Sequence, residues 1–282
     1  MVEVREWSRS DTARFLRVPS SGDDKYSRGV VALRTGSALY PGAAVLGVEA
    51  AWRAGAGFVR YVGEGRAADA VIARRPETVV GADTGRTRID TWVIGSGTDP
   101  SARSDDESAA LRQILAGSAR VVVDAGALDL ATGSAAPFVV TPHAGEFARL
   151  RAQLRLAPSD DTQRAQAAAD VAARLGGTVL LKGARTLVAD VDGRVIEISA
   201  GTGWLATAGS GDVLGGVLGA LLAANPHAPL AEAAAAAAWL HGYAGRLAAD
   251  AAGAGERRGP GHPIVAMDVA EALPSAIADL LA

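Results

Sequence analysis

The 282-residue chain has no cysteine, few aromatic residues (5%) and no excess of positive charge. Without cysteine it can form neither disulfides nor thiolate metal sites, which suits a reducing compartment such as the cytoplasm. A formal net charge of -3 lacks the basic field that nucleic-acid binding requires. We therefore expect small molecules as partners, and no nucleic acid.

Signals for export or membrane insertion are also missing from the sequence. The N-terminus, MVEVREWSRSD, is charged and has no apolar core of the kind found in signal peptides. The most apolar stretches, 213–224 and 231–240, are too short or too rich in alanine to span a bilayer. We expect no membrane association and a cytoplasmic location.

Short β-branched runs alternate with longer helical patterns along the chain. The runs predict strands at 58–62, 91–94, 120–124, 138–141, 178–182, 186–189 and 194–199. The helical patterns lie at 42–54, 67–74, 105–116, 144–154, 160–175, 211–224, 230–249 and 269–281. Several strands are continuously apolar, as strands covered on both faces must be. This alternation predicts a three-layer, doubly wound α/β fold, with a mainly parallel sheet and helices on both faces.

Four further features concern the organisation of the chain. Asp192-Gly193, between two alternating runs, predicts a hairpin near the edge of the sheet. Residues 5–28 and the Gly/Pro-rich segment 252–263 are predicted to be loose, and the second could be a lid or a mobile loop. No repeat or linker divides the chain, so we expect one domain over residues 1–282. The alanine-rich helix 230–249 could lie in the core or in an interface.

The motif TAGSGD, residues 207–212, precedes an apolar helix. Glycine allows the backbone to approach a phosphate closely, and the amides at a helix N-terminus bind anions. Asp212 in the first turn could instead be a surface acid that the helix dipole stabilises by about 0.3–1 kcal/mol. Three glycines follow within the helix, at 215, 216 and 219, and they favour close approach of a neighbouring backbone or a ligand.

Two other motifs place charged side chains after predicted strands. His143 and Glu146, in TPHAGE, would share one face of a helix, and a carboxylate beside a phosphate commonly holds Mg²⁺. The alternative is a capping arrangement in which Thr141 caps the helix and the other residues are solvated. Lys182 ends an apolar strand and must find a carbonyl, a carboxylate or a phosphate, unless it reaches solvent.

The remaining observations concern a small-residue helix start and several motifs that are absent. Pro41-Gly42 is followed by Ala43-Ala44, which would let a flat ligand, or simply a neighbouring helix, lie against the backbone. The sequence has no P-loop, no G-x-G-x-x-G, no G-x-S-x-G and no H-E-x-x-H.

In this order, the motifs resemble those of the ADP-dependent NAD(P)H-hydrate dehydratase family, which belongs to the ribokinase-like superfamily. The resemblance rests on KYSRGVVALRTGSALYPGAAV, TPHAGEFARL, LLKGARTLVAD, LATAGSGDVLGG and WLHGYAG, and it covers the chain from about Lys25 to the C-terminus. The superfamily as a whole carries G-[ST]-G-D, whereas the combination with K-Y-S-R-G, P-G-A-A and T-P-H-x-x-E is much more specific.

The resemblance implies a repair reaction on reduced nicotinamide cofactors that have gained water, NADHX and NADPHX. The ring hydroxyl is activated by phosphoryl transfer from ADP or ATP in the presence of Mg²⁺, and phosphate then leaves. By motif, Asp212 is the expected general base and the Gly209, Ser210 and Gly211 amides the anion hole. The hydrated cofactor would contact Ala43, Gly97, His143 and Asp212. The nucleotide would contact Lys182, Gly183, Ala184, Arg185, Thr186 and Gly211.

The resemblance also implies features around this site. Glu146 is the candidate for organising Mg²⁺, through water, and relatives form symmetric assemblies, so a homo-oligomer, with a tetramer favoured, is expected. Many relatives carry a fused epimerase domain, for which this chain has no room, so we expect the dehydratase alone. The chain departs from the family pattern at Asp24, where histidine is common, and at Gly126, where an acid is common.

Two other functions remain open at this point. A ribokinase-like small-molecule kinase, acting on a hydroxymethyl-pyrimidine or a sugar, would use the same chemistry at Asp212. A nucleotide-binding regulatory protein would keep the fold without turnover, and the intact Gly209–Asp212 motif argues against it.

Overall fold

A ten-stranded sheet runs through residues 2–250 and 260–282, the part of the chain that the computed structural model describes. Its strands are β1 (Val4–Glu6), β2 (Val30–Arg34), β3 (Phe58–Val62), β4 (Val79–Gly81), β5 (Thr91–Ile94), β6 (Arg120–Val123), β7 (Phe138–Val140), β8 (Thr178–Leu181), β9 (Thr186–Ala189) and β10 (Val195–Ile198). Their order is β1-β10-β9-β8-β7-β6-β5-β2-β3-β4. All neighbours pair in parallel except β8 with β9 and β9 with β10.

Helices cover both faces of this sheet. They are α1 (Arg9–Ala13), α2 (Pro41–Arg53), α3 (Gly65–Arg74), α4 (Asp105–Leu115), α5 (Ala144–Gln153), α6 (Arg164–Leu175), α7 (Ser210–Ala224), α8 (Leu230–Ala249) and α9 (Ala266–Leu281). Buried side chains form two apolar clusters, one with α2, α7, α8 and α9 and one with α4, α5 and α6. The expected three-layer, mainly parallel α/β fold is confirmed.

Strand β6 shows why the central strands are continuously apolar. Val122 belongs to the cluster with α7 and α8, whereas Val121 and Val123 belong to the opposite cluster. All three are fully buried. Because successive side chains point to opposite faces of a sheet, a strand covered on both sides needs an apolar residue at every position.

Three strands and one helix were not expected from the sequence. β1 and β4 have only three residues each, too few for a periodic pattern, and β1 is exposed. β2, whose first four residues are buried, is a central strand that the sequence analysis missed. The prediction that residues 5–28 are loose is wrong in part, because β1 pairs with β10 and α1 carries a Ser8–Asp11 capping box.

Other predictions about organisation can now be placed. The Asp192-Gly193 hairpin is confirmed, with Gly193 at φ +85° between β9 and β10. Segment 252–263 lies mostly outside the described residues. In α8, Ala233 to Ala237 are fully buried within this chain, which places the helix in the core. In the described part of the chain, no helix has both the length and the apolar character needed to cross a membrane.

The glycines of α7 allow it to pack unusually closely against α2 and the sheet. A Cβ at Gly216 would lie 2.2 Å from the Gly47 carbonyl oxygen of α2, and one at Gly219 would lie 2.6 Å from a methyl group of Val93. The close-packing explanation therefore holds for these two glycines. Since α2 and α7 each follow a strand of the same direction, their N-termini lie together at the carboxyl edge of the sheet.

Candidate active site

A buried polar network joins the ends of four neighbouring strands at this edge. Asp124, directly after β6, is 3% exposed. It accepts hydrogen bonds from Ser96 Oγ (3.0 Å), Thr141 Oγ1 (2.8 Å) and Lys182 Nζ (2.9 Å). Lys182 thus finds a carboxylate, as its position predicted, and with its side chain 20% exposed it does not extend into solvent. Sequence reasoning did not name Asp124, Ser96 or Thr141 as site residues.

The N-terminus of α7 faces this network without a cap of its own. Gly209, the N-cap residue, has φ +89° and provides no side-chain cap for the first amides of the helix. The Lys182 ammonium lies directly beside Gly211, 3.3 Å from where a Cβ would stand. A cation and the positive end of a helix dipole are thus brought together, and an anion placed between them would be stabilised by both.

Asp212, in the first turn of α7, is partly buried within the same group of charges. Burial raises the pKa of its carboxyl to about 6, the Asp124 carboxylate adds to the shift, and the Lys182 ammonium opposes it. A carboxyl with this pKa is mainly ionised at pH 7 and is more basic than an ordinary aspartate. It has the properties of a general base.

Lys182 is charged despite its burial. Desolvation alone would lower the pKa of the ammonium, but Asp124, Glu146 and Asp212 outweigh it and raise the pKa above its usual value. Glu146 Oε2 lies 3.9 Å from Lys182 Nζ. The lysine therefore stands among three carboxylates, and its hydrogen bond goes to Asp124.

His143 and Glu146 form the capped N-terminus of α5. His143 Nδ1 accepts hydrogen bonds from the amides of Gly145 (3.0 Å) and Glu146 (3.4 Å), and Glu146 Oε2 accepts one from the His143 amide (2.8 Å). The predicted capping arrangement is therefore present, but the capping residue is His143 rather than Thr141. Thr141 is instead turned inward to Asp124.

Ala43 and Gly97 meet at the start of α2. A Cβ at Gly97 would lie 2.4 Å from the Ala43 Cβ, so only a glycine fits against the first turn of α2. Leu46 of α2 in turn touches Gly209, with 2.5 Å between its Cδ1 and the position of a Cβ there. These two predicted substrate-contact residues thus adjoin the α7 N-terminus.

A cleft of about 490 Å³ is lined in part by the first residues of α7. This volume lies in the range of small-ligand sites. Five of the six residues expected to contact a nucleotide line it, namely Lys182, Gly183, Ala184, Thr186 and Gly211. Arg185 does not line the cleft, because its exposed guanidinium lies 3.5 Å from Glu197 of β10.

His241 of α8 also lines the cleft. It belongs to the motif WLHGYAG, but the sequence predicted no role for it. It is 8% exposed, and its Nε2 has no hydrogen-bond partner among the described residues. Burial lowers the pKa of this imidazole to about 4; the Ser210 backbone opposes the shift, and the weaker influence of the Lys182 charge adds to it. The cleft therefore contains a neutral histidine at pH 7.

The described residues provide no ready-made metal cage. Within 2–250 and 260–282, no three His, Asp or Glu side chains converge on one point. Glu146, the residue predicted for Mg²⁺, uses Oε2 to cap α5 and has Oε1 3.5 Å from His143 Nε2. Such a carboxylate suits contact through water, since Mg²⁺ usually keeps several waters and takes its other ligands from substrate phosphates.

The fold is that of the ribokinase-like proteins. A ribokinase-like superfamily protein from Enterococcus faecalis V583 superposes with a TM-score of 0.82, covering 98% of this chain and 96% of that one, at 23% identity. The family model for NAD(P)H-hydrate dehydratase matches residues 31–258. The chain belongs to the NAD(P)H-hydrate dehydratase family.

Relatives and a solved structure agree with this assignment. The bifunctional NAD(P)H-hydrate repair enzyme of Mycobacterium leprae is 45% identical over 88% of this chain and 51% of its own length. The chain thus spans about half the length of the first curated relatives it matches. The ADP-dependent (S)-NAD(P)H-hydrate dehydratase of Neisseria meningitidis is 37% identical, covering 80% of this chain and 79% of that protein.

The solved structure is the ADP/ATP-dependent NAD(P)H-hydrate dehydratase from Bacillus subtilis, co-crystallized with ATP/Mg²⁺. It superposes with a TM-score of 0.83 at 26% identity, over 98% of this chain and 99% of that one.

Proposed function

We propose that the chain catalyses the ADP-dependent dehydration of (6S)-NADHX and (6S)-NADPHX to NADH and NADPH, with release of AMP and phosphate. One observation carries the proposal. An uncapped helix N-terminus, a partly buried ammonium and a carboxyl of raised pKa stand together beside a cleft of about 490 Å³, in a member of this family. The chain is then a carbon–oxygen lyase that repairs cofactors.

The reaction has two stages. Asp212 accepts the proton of the hydroxyl at ring carbon 6 while that oxygen attacks the terminal phosphorus of ADP and AMP departs. Phosphate then leaves carbon 6 with the bonding electron pair, and loss of a proton from carbon 5 restores the ring double bond. Phosphoryl transfer needs positioning and charge neutralisation above all. The Gly209–Gly211 amides and Lys182 supply both at the transferred group.

The two substrates approach Asp212 from opposite sides. The nucleotide occupies the 490 Å³ cleft along Gly183, Ala184 and Thr186, with its terminal phosphate at Gly211. The hydrated cofactor lies against the Ala43–Gly97 contact and extends toward His143, whose side chain is 57% exposed. Arg185 is a weaker candidate for nucleotide contact than its neighbours, because its side chain is directed to Glu197.

Mg²⁺ and the assembly state complete the proposal. Glu146 would hold Mg²⁺ through water, and the ion would neutralise phosphate charge when bound. ADP and ATP place the same phosphates at the same loop, and the named relatives include enzymes for either donor. The homo-oligomer, the cytoplasmic location and the single-domain organisation stay predictions, the first of which sedimentation analysis would test.

The test is direct. Hydrated NADH is incubated with the protein, Mg²⁺ and either ADP or ATP, and the absorbance of the restored dihydronicotinamide is followed, with Asp212→Asn and a nucleotide-free sample as controls. We expect recovery of NADH together with AMP when ADP is used. No recovery with either nucleotide contradicts the lyase proposal. Phosphorylation of a hydroxymethyl-pyrimidine or a sugar by the same protein, without recovery of NADH, would favour the kinase alternative.

A further inference from the structure

Asp124 is the best-anchored charged group at the site, and the reaction above gives it no role. Its carboxylate is held from three directions, by Ser96 after β5, by Thr141 after β7 and by Lys182 after β8. The two hydroxyl donors are themselves only 2% exposed and follow the ends of β5 and β7. A carboxylate fixed in this way has little freedom to move.

Lys182 occupies a position that is unfavourable without such a partner. Its ammonium stands beside Gly211 at the positive end of α7, where a helix normally favours anions. Glu146 is 3.9 Å away, beyond hydrogen-bond distance, whereas Asp124 is at 2.9 Å. The four-carbon side chain of lysine is otherwise flexible, so Asp124 is what keeps the ammonium at the helix end.

We propose that Asp124 is a positioning residue, which fixes the Lys182 ammonium where it and the α7 amides bind the same phosphoryl group. This inference rests on the proposed function of the site. Asp124 touches neither substrate and acts through Lys182. Because Ser96 and Thr141, which follow β5 and β7, hold Asp124, the sheet rather than the flexible lysine side chain determines where the ammonium lies.

The inference predicts that turnover falls while ADP binding does not weaken. In Asp124→Asn, the lysine loses its fixed partner and can pair with Asp212 instead, which would neutralise the general base. A displacement of about 1 Å can lower turnover on the order of 100-fold. ADP affinity, in contrast, should be unchanged or several-fold tighter, because a negative charge near the phosphates is gone and the ammonium is freed.

The experiment is a double-mutant cycle with Asp124→Asn, Lys182→Ala and the combined variant. Turnover of hydrated NADH and ADP affinity by calorimetry are both measured. We expect the combined variant to turn over no more slowly than Lys182→Ala, and any gain in ADP affinity from Asp124→Asn to vanish when Lys182 is alanine. Additive losses in turnover, or the same affinity change in both backgrounds, would overturn the inference.

Conservative variants guard against a purely structural explanation. Thr141→Val and Ser96→Ala each remove one hydrogen bond to Asp124. In the wild-type background we expect each variant to lower turnover several-fold. In the Lys182→Ala background we expect no further loss. Thr91→Val is the matched control, since Thr91 is a buried threonine of β5 whose hydroxyl has no partner among the described residues. It should leave turnover unchanged. An equal loss in Thr91→Val and Thr141→Val would contradict the positioning role.

The outcome separates this inference from the proposed function. If the wild-type protein binds ADP but never restores NADH, the proposed function is wrong. The double-mutant cycle in ADP affinity then tests by itself whether Asp124 acts through Lys182. If the wild-type protein restores NADH but the cycle is additive, the function stands and the positioning role is wrong. If it does not bind ADP, both are wrong.

Discussion

Helices α5 and α7 begin at the same edge of the sheet, and their N-termini are arranged in opposite ways. At α5, His143 accepts hydrogen bonds from the Gly145 and Glu146 amides, and Glu146 bonds back to His143. At α7, Gly209 offers no side chain, and the charged group placed beside the first turn is the Lys182 ammonium.

The difference fits a structural role for the start of α5 and the anion-binding role that we propose for the start of α7. A side-chain cap typically stabilises a helix by about 0.5–2 kcal/mol, and α7 forgoes it. The missing side-chain cap and the adjacent ammonium would be unfavourable in a purely structural helix, but together they would stabilise a bound anion. At α5 the amides are already satisfied, so an anion would gain little from them.

The largest expected effect comes from removing the base at α7. Asp212→Asn should reduce turnover of hydrated NADH by roughly 10²- to 10⁴-fold, because general base catalysis typically contributes that much. ADP affinity should change little, which calorimetry can check alongside the rate. A variant that keeps near-full turnover would show that Asp212 is not the base.

The pH dependence of the same residue provides the second test. Since the folded pKa of Asp212 is about 6, kcat/KM should fall about tenfold per pH unit below pH 6, where the base is protonated. Ionising this buried carboxyl also opposes folding above pH 6. Asp212→Asn should therefore be more stable than wild type at pH 8 by roughly 1–3 kcal/mol.

The stability difference should then shrink as the pH falls from 6 toward 4, because the folded wild type becomes protonated there and loses the burial penalty. Denaturant unfolding at pH 8 and pH 4 measures both values. Equal stability of the two proteins at pH 8 would contradict the raised pKa.

A methyl group at each helix N-terminus compares the two ends directly. Gly211→Ala places a Cβ 3.3 Å from Lys182 Nζ, inside the anion site, and should weaken ADP binding on the order of tenfold, the scale of about 1.4 kcal/mol. Gly145→Ala is the matched control in the first turn of α5, where the nearest group is the His143 ring. It should leave ADP affinity unchanged, and equal losses in both variants would show that α5 shares the nucleotide site.

The smallest effect is expected at the α5 cap. Glu146→Gln keeps a side-chain acceptor for the His143 amide, and glutamine also serves in capping boxes, so stability should change by less than about 0.5 kcal/mol. The lost charge should raise the Mg²⁺ concentration for half-maximal turnover several-fold. A Mg²⁺ requirement identical to that of wild type would remove Glu146 from the metal site.

The sequence predicted most of the longer elements well and the three-residue strands poorly, although the five-residue β2 was also missed. Strands such as β6 and β8 have continuous apolar runs, and the helices carry recognisable starts, so their positions agree within a few residues. β1 and β4, with three residues each, are defined by pairing with β10 and β3 rather than by any local pattern.

The candidate site shows a similar division. Glycine-rich turns and charged residues after strands marked Gly209, Lys182 and Asp212, because local patterns at the ends of buried strands can be read from the sequence. Asp124 was not predicted as a site residue, because a single aspartate after a strand forms no motif. Its partner Lys182 lies 58 residues further along the chain, so only the folded sheet brings them together.

The sequence by itself determined the α/β class, the family and most of the residues at the carboxyl edge, since these depend on periodicity and local motifs. The tertiary structure decided that His143 rather than Thr141 caps α5, that Arg185 lies outside the cleft and that Asp212 is a stronger base than usual. These properties depend on burial and on charges distant in sequence, which arise only when the sheet brings its strand ends together.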